Sequence, residues 1–234
     1  MINKIFDSLQ SAVADVHDGA TVMIGGFGTA GMPSELIDAL IDQGARNLTI
    51  VSNNAGNGEI GLAALLKARR VRKIICSFPR QTDSYVFDAL YRAGDIELEL
   101  VPQGNLAERI RAAGAGIGGF FTPTGYGTEL AKGKETRVID GKGYVLEAPL
   151  AADVALIKAY KGDRWGNLIY RKTARNFGPI MASAAQTAIV QVSEVVPLGA
   201  LDPEEIVTPG IFVQRVIAVP QAARRASNSA AAAA

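Results

Sequence analysis

The sequence predicts an α/β protein: an open, mostly parallel sheet flanked by helices, with a β-hairpin insertion. Three observations predict it. Short runs rich in Ile, Val and Leu alternate with amphipathic stretches through the first half of the chain. Those runs are apolar on both faces, as strands are when crossover helices cover them. A glycine-rich turn, VMIGGFGTAGMP, joins the first run to the first amphipathic stretch.

Each element follows in order. MINKIFDSLQSAVADV alternates polar and apolar residues at helical spacing, whereas a secretory signal needs a basic start and an apolar core. TVMIGGF (21–27) is a strand and PSELIDALIDQG its crossover helix. Pro33 suits the first turn, where its missing N–H would be unpaired in any case, and Gly44 suits the end. NLTIVSN (47–53) leads to GEIGLAALLKARRV, KIICSF (73–78) to SYVFDALYRAGD, and IELELVPQG (96–104) to LAERIRAAGAG. From Gly116, GIGGFFTPTGYGTELAKGKE reads as a functional loop, being too long for a connector. RVID and YVLEAPL, separated by Gly141-Lys142-Gly143, read as a β-hairpin. DVALIKAYKGD, GNLIYRKTARNF, a helical PIMASAAQTA and the strands IVQVSEVV and IFVQRVIAV complete the order. No linker divides the chain, so one domain is expected over residues 1–220. The low-complexity tail 221–234, QAARRASNSAAAAA, lacks an apolar face and is expected to be disordered.

Composition narrows the function. A formal net charge of +1 over 234 residues gives no field suited to nucleic acid or an anionic membrane. No apolar run approaches the ~20 residues of a membrane span, and a cytoplasmic location is expected. With one cysteine, Cys76, and one histidine, His17, the chain can form neither an internal disulfide nor a Cys/His zinc site, and no metal is expected. His17 precedes the first strand, which argues against histidine-based catalysis.

Three features carry the chemistry. Gly26 to Gly31 spells G-x-G-x-x-G between a strand and a helix N-terminus, where backbone N–H groups and the helix dipole favour phosphate. A dinucleotide site also expects an acid at the end of the second strand. That strand ends in Ser52, Asn53 and Asn54, which weighs against a nicotinamide-dependent dehydrogenase. The glycines alternatively serve only close packing of strand and helix. In VSNNAGNGE (51–59), Asn53 and Asn54 fall where open α/β sheets place ligands, although Asn and Gly also build turns. Glu59 near a helix start is more often solvated than reactive. Gln103 also ends a strand, so Asn53, Asn54 and Gln103 can converge as uncharged donors for a developing oxyanion. Arg109 and Arg111 are expected on a helix surface.

The segment DGATVMIGGFGTAGMP (18–33) resembles the glycine-rich signature of the A subunit of family I 3-oxoacid CoA-transferases. The similarity continues through SNNAG (52–56), PQGNLAERIRAAGAG (102–116), TPTGYGT (122–128) and KGDRWGNLIYRKTARNFGPIM (161–181), over most of residues 1–220. CSFPRQTDSYVFDALYRAG and NNAGNGEIGLAALL look closest to the bacterial 3-oxoadipate branch; the acetoacetate-type branch is the alternative within the family. The resemblance implies a CoA-transferase/NagB-like fold and a ping-pong transfer of CoA from succinyl-CoA to a 3-oxo acid through a glutamyl-CoA intermediate. It implies no tightly bound cofactor, coenzyme A thioester being a substrate. It implies Ile24, Gly25, Gly26, Phe27, Gly28, Thr29 and Ala30 as the CoA-binding segment, with Asn53, Asn54 and Gln103 on the substrate side. The family's nucleophilic glutamate lies in a Ser-Glu-Asn-Gly motif of the B subunit, and this chain lacks that motif. A separate B subunit, in an A2B2 or larger hetero-oligomer, is therefore the expected partner. Arg80, just past the third strand, is the candidate for a second substrate carboxylate. Because fold does not fix function, a non-catalytic CoA-thioester-binding module is the reading from another class.

Overall fold

The computed structural model describes residues 2–220; the expectation for the tail 221–234 lies outside them. In chain order the elements are α1 (Leu9–Val13), β1 (Thr21–Ile24), α2 (Ser34–Gln43), β2 (Leu48–Val51), α3 (Leu62–Lys67), β3 (Val71–Cys76), α4 (Tyr85–Ala93), β4 (Glu97–Leu100) and α5 (Gln103–Gly114). There follow β5 (Phe120–Thr122), β6 (Thr136–Ile139), β7 (Lys142–Glu147), β8 (Ala152–Gly162), β9 (Leu168–Ile169), α6 (Gly178–Ala184), β10 (Ala185–Val195) and β11 (Arg215–Ala218). Single 3-10 turns occupy Glu129–Ala131, Lys172–Arg175, Pro203–Glu205 and Gly210–Phe212.

The main sheet runs β11-β10-β8-β1-β2-β3-β4 with every neighbour parallel, and β9 adds antiparallel to the end of β8. The two innermost strands explain the continuous apolar runs. TVMI and LTIV are buried on both faces apart from the half-buried Thr21. Val22 and Ile24 pack with Leu36, Ile37 and Leu40 of α2, while Met23 packs with Leu106 and Ile110 of α5 and Met181 of α6. Each such side chain contributes roughly 1.5–3 kcal/mol by leaving water. α2 ends where expected, at Gly44 (φ 101°), whose N–H bonds the Leu40 carbonyl at 3.3 Å. Pro33 stands one residue earlier than expected, at the N-cap.

Strand order reverses at the centre. From β1 the chain steps outward through β2, β3 and β4, then returns to the other side of β1 through β8, β10 and β11. Ligands of open α/β sheets sit beyond the carboxyl ends of strands at such a switch point. β8 pairs Leu156 with Ile24 and then continues to Gly162, so its second half overhangs the end of β1.

Several boundaries differ from expectation for identifiable reasons. Helix α1 is short, because residues 4–6 run extended beside β11, with Ile5 bridging Val216. Helix α5 starts at Gln103, which the strand pattern had included, because Pro102 supplies a helix N-cap whose carbonyl receives the Leu106 N–H at 2.8 Å. Strand β10 starts at Ala185 inside the expected helix, since the parallel register with β8 outweighs the helical propensity of AAQTA. The long loop contains β5, which joins the expected hairpin as β5-β7-β6. Its turn is the pair Asp140-Gly141, both at positive φ as a tight hairpin turn requires, with Lys142 and Gly143 already in β7. Among the described residues no helix is long and apolar enough to cross a membrane.

Candidate active site

The carboxyl ends of β2 and β3 and the start of α5 meet in a cluster of neutral amides. Asn53 and Asn54 follow β2 and are 3% and 2% exposed. The Asn53 Oδ1 accepts from the Ser77 hydroxyl at 2.8 Å and from Gln103 Nε2 at 2.8 Å. The Asn54 Oδ1 accepts from the Gly56 N–H at 2.8 Å, and its backbone bridges Phe78 beyond β3. Both amide oxygens are therefore claimed by the protein, which fixes the way each side chain points. Neither Nδ2 donates to a protein group among the described residues. Two oriented NH2 groups without protein partners, carried on otherwise buried side chains, are what a developing negative oxygen needs. Gln103, itself exposed, uses its amide to orient Asn53.

The glycine segment lies at the switch point, with a shape other than a phosphate cradle. The Phe27 N–H bonds the Ala30 carbonyl at 2.9 Å and the Ala30 N–H bonds back at 3.1 Å, so residues 27–30 form a tight hairpin. Its tip protrudes: Phe27 is 53% exposed and Thr29 is also open to solvent. Ile24 buries its side chain in the core, and Gly25 and Gly26 are buried at the hairpin's base, so the segment presents Phe27, Gly28, Thr29 and Ala30 at the surface. The N-terminus of α2 is partly claimed already. Gln191 on β10 accepts the Leu36 N–H at 3.1 Å and donates to Glu35. No local pattern could have shown this capping residue, which lies far away in the chain.

The hairpin is braced from behind. Asn176 Nδ2 donates to the Ala30 carbonyl at 2.9 Å. Gly31 (φ 78°) lies so close to the 172–175 turn that a Cβ there would stand 2.8 Å from the Ala174 carbonyl oxygen. Between hairpin and turn lies a hollow of about 350 Å³ lined by Ala30, Lys158, Tyr160, Arg171, Lys172 and Ser193, among others. A second, of about 690 Å³, shares Tyr160, Arg171 and Lys172 and adds Arg175, Glu204 and Glu205. These cations lie in a block that resembles the family, but nothing in their spacing marks them as a site.

Other candidates fall elsewhere. Arg80 is exposed, and its Nε pairs with Asp88 at 2.5 Å. Glu59 is exposed and bonds Lys67 at 2.7 Å, which holds its carboxyl below the usual range. Arg111 is on the surface, as expected, paired with Glu108. Arg109 is not: its side chain is 12% exposed and pairs with Glu99 at 3.1 Å and Glu147 at 3.8 Å. The buried carboxylate of Glu147, at the end of β7, draws it inward, which helical periodicity alone could not reveal. Cys76 is buried in β3, and burial pushes its thiol up to about 12. His17 is exposed before β1.

Comparison with known proteins bears on the family and the fold. Residues 6–219 match the family model described as Coenzyme A transferase. The chain is 76% identical over 223 residues to the A subunit of 3-oxoadipate CoA-transferase from Pseudomonas putida, across 95% of this chain and 96% of that one. It is 52% identical over 215 residues to the A subunit of succinyl-CoA:3-ketoacid coenzyme A transferase from Xanthomonas campestris pv. campestris (strain B100), across 92% and 88%. Among solved structures, an acyl-CoA transferase apoenzyme from Escherichia coli O157:H7 aligns with a TM-score of 0.79 at 25% identity. The alignment covers 93% of this chain and 47% of that one, so this chain spans about half its length.

Proposed function

We propose, from the premise that the chain belongs to the coenzyme A transferase family, that it is the A subunit of an enzyme moving CoA from succinyl-CoA to 3-oxoadipate. A B subunit would supply the nucleophile. The observation that carries the reading is a site with donors but no free nucleophile. Asn53 and Asn54 present unclaimed NH2 groups at the sheet's carboxyl edge. The carboxylate nearest to them along the chain, Glu59, is solvated and salt-bridged to Lys67. The names of the two similar proteins support the donor and acceptor.

The chemistry then divides between two chains. A glutamate on the B subunit's side of the site attacks the thioester carbonyl of succinyl-CoA, and the oxygen charge that develops falls to the Asn53 and Asn54 amides. Collapse expels CoA thiolate and leaves a mixed anhydride. The thiolate attacks the glutamyl carbonyl, releasing succinate and forming the glutamyl-CoA thioester. The 3-oxo acid carboxylate reverses these steps and leaves as its CoA ester. Both intermediates hydrolyse if wetted, so the site needs a cover. Phe27, Ile60 and Phe78 are 53%, 70% and 58% exposed in the loops that follow β1, β2 and β3, an apolar rim suited to burial under the B subunit in an A2B2 or larger hetero-oligomer.

Phe27, Gly28, Thr29 and Ala30 would approach the CoA arm, and the Arg80 edge left open by Asp88 would take the acceptor's second carboxylate. Reconstituting this chain with the B subunit should give succinyl-CoA:3-oxoadipate transferase activity, and this chain alone should give none. Activity from the isolated monomer would refute the division of labour.

A further inference from the structure

We infer that Arg171, Lys172 and Arg175 form a subsite for the nucleotide phosphates of the CoA thioester, an assignment that rests on the CoA-transferase reading above. All three lie on one turn, with Arg171 and Lys172 lining both hollows beside it. None is ion-paired among the described residues; Arg171 only stacks its guanidinium 5.5 Å above the Tyr160 ring. Most other surface cations here do have carboxylate partners, such as Lys67, Arg69, Lys73, Arg80, Arg111 and Lys161. Concentrated unpaired positive charge is a standing attraction for a polyanion.

The turn is placed for this task. It braces the glycine hairpin through Ala174 and Asn176, and its Arg171 and Lys172 line both hollows. A thioester whose acyl carbon lies at the asparagines and whose arm passes the hairpin would bring its phosphates to these cations. Lys172 sits at φ 52°, a left-handed conformation that costs a non-glycine residue about 1 kcal/mol or more and tends to persist at ligand sites. The larger hollow is also lined by Glu204 and Glu205. Carboxylates there would accept from ribose hydroxyls or a base amine. Acceptors beside cations suit a nucleotide, which carries hydroxyl and amine donors as well as phosphates, whereas the remote carboxylate of a dicarboxylic acid offers no donor.

The test uses the two-chain complex and the variants Arg171→Gln, Lys172→Gln and Arg175→Gln, singly and combined. Each keeps a long polar side chain, and the single variants serve should the triple fail to assemble. The readout is kcat/KM for succinyl-CoA divided by kcat/KM for succinyl-pantetheine, which lacks the phosphates. The ratio should fall about tenfold per lost phosphate contact. The preference for 3-oxoadipate over acetoacetate should hold. A ratio unchanged within about twofold would overturn the assignment while leaving the transferase reading intact. A collapse of the 3-oxoadipate preference instead would reassign the turn to the acyl group's carboxylate. A wild-type complex without transfer would remove both the reading and the inference.

Discussion

Gln103, the first residue of α5, donates its amide to Asn53 Oδ1 at 2.8 Å, joining the start of that helix to the end of β2 through one side-chain oxygen. With Ser77 on the same oxygen, the Asn53 amide cannot turn over without losing two bonds, and its NH2 stays aimed away from the protein. Asn53→Asp replaces that donor with a charged acceptor and should lower kcat by about 10²–10³, the usual effect of losing one oxyanion donor. Gln103→Ala should cost less, about tenfold in kcat, since Ser77 still holds the oxygen. Steady-state kinetics of the reconstituted enzyme checks both, and a larger loss for Gln103→Ala would mean that Gln103 meets the substrate itself.

The glycine hairpin separates two uses of glycine. Gly28 has φ 59° and open space where a Cβ would go, whereas Gly31 has φ 78° and the Ala174 carbonyl at 2.8 Å. Gly28→Val should cost roughly 1–2 kcal/mol of local strain and leave the fold intact while damaging transfer at the tip. Gly31→Ala adds a backbone clash and should cost about 2–3 kcal/mol. Denaturant titration ranks them, and loss of assembly in Gly28→Val would mark that glycine as structural.

How much of this could be read beforehand depended on whether the cause was local. The parallel sheet showed because TVMI and LTIV are apolar on both faces, and a strand's own residues record that. The asparagines showed because a strand end can be seen in sequence. Arg109 did not show, since its partners Glu99 and Glu147 come from β4 and β7. Nor did Gln191, which meets α2 only once β10 is laid beside β8. The glycine segment was visible as a motif, but its closure into a hairpin depends on Asn176 and the turn behind it.

Arg80 offers a sharper test than its exposure suggests. Asp88 takes its Nε, and the edge formed by Nη1 and Nη2 has no protein partner among the described residues. That edge is the one suited to a carboxylate in bidentate contact. Arg80→Ala should raise the KM for 3-oxoadipate about tenfold and leave that for acetoacetate nearly unchanged. Equal effects on both acids would remove Arg80 from the site.

Cys76 should be chemically silent. Its side chain is fully buried in β3, and burial pushes the thiol up to about 12. Only the thiolate reacts, and below that value the protonated form dominates. At about pH 8, close to the ordinary pKa of a free thiol, a thiol reagent should therefore leave the native protein unmodified and label one thiol once it is unfolded, as intact mass would show. Rapid labelling of the native protein would mean that β3 opens far more readily than its place inside the sheet implies.

Glu147 ends β7 with 3% exposure and gathers three partners: Lys134 Nζ at 2.8 Å, Asn105 Nδ2 at 3.2 Å and Arg109 Nε at 3.8 Å. Asn105 belongs to the first turn of α5, two residues after Gln103, so this carboxylate ties the small β5-β7-β6 sheet to the helix that orients Asn53. Glu147→Ala strands those donors. Arg109 keeps Glu99, and the partly exposed Lys134 can turn to water, so the loss should be about 2–4 kcal/mol, at or below the range for breaking a buried pair. Glu147→Gln retains an acceptor for one donor and should lose roughly half as much. The functional consequence separates anchoring from general loosening. If the network positions α5, kcat should fall in Glu147→Ala and recover in part in Glu147→Gln under conditions where both are fully folded, with the KM for succinyl-CoA little changed. Matching kcat values for both variants and the wild type would confine Glu147 to stability.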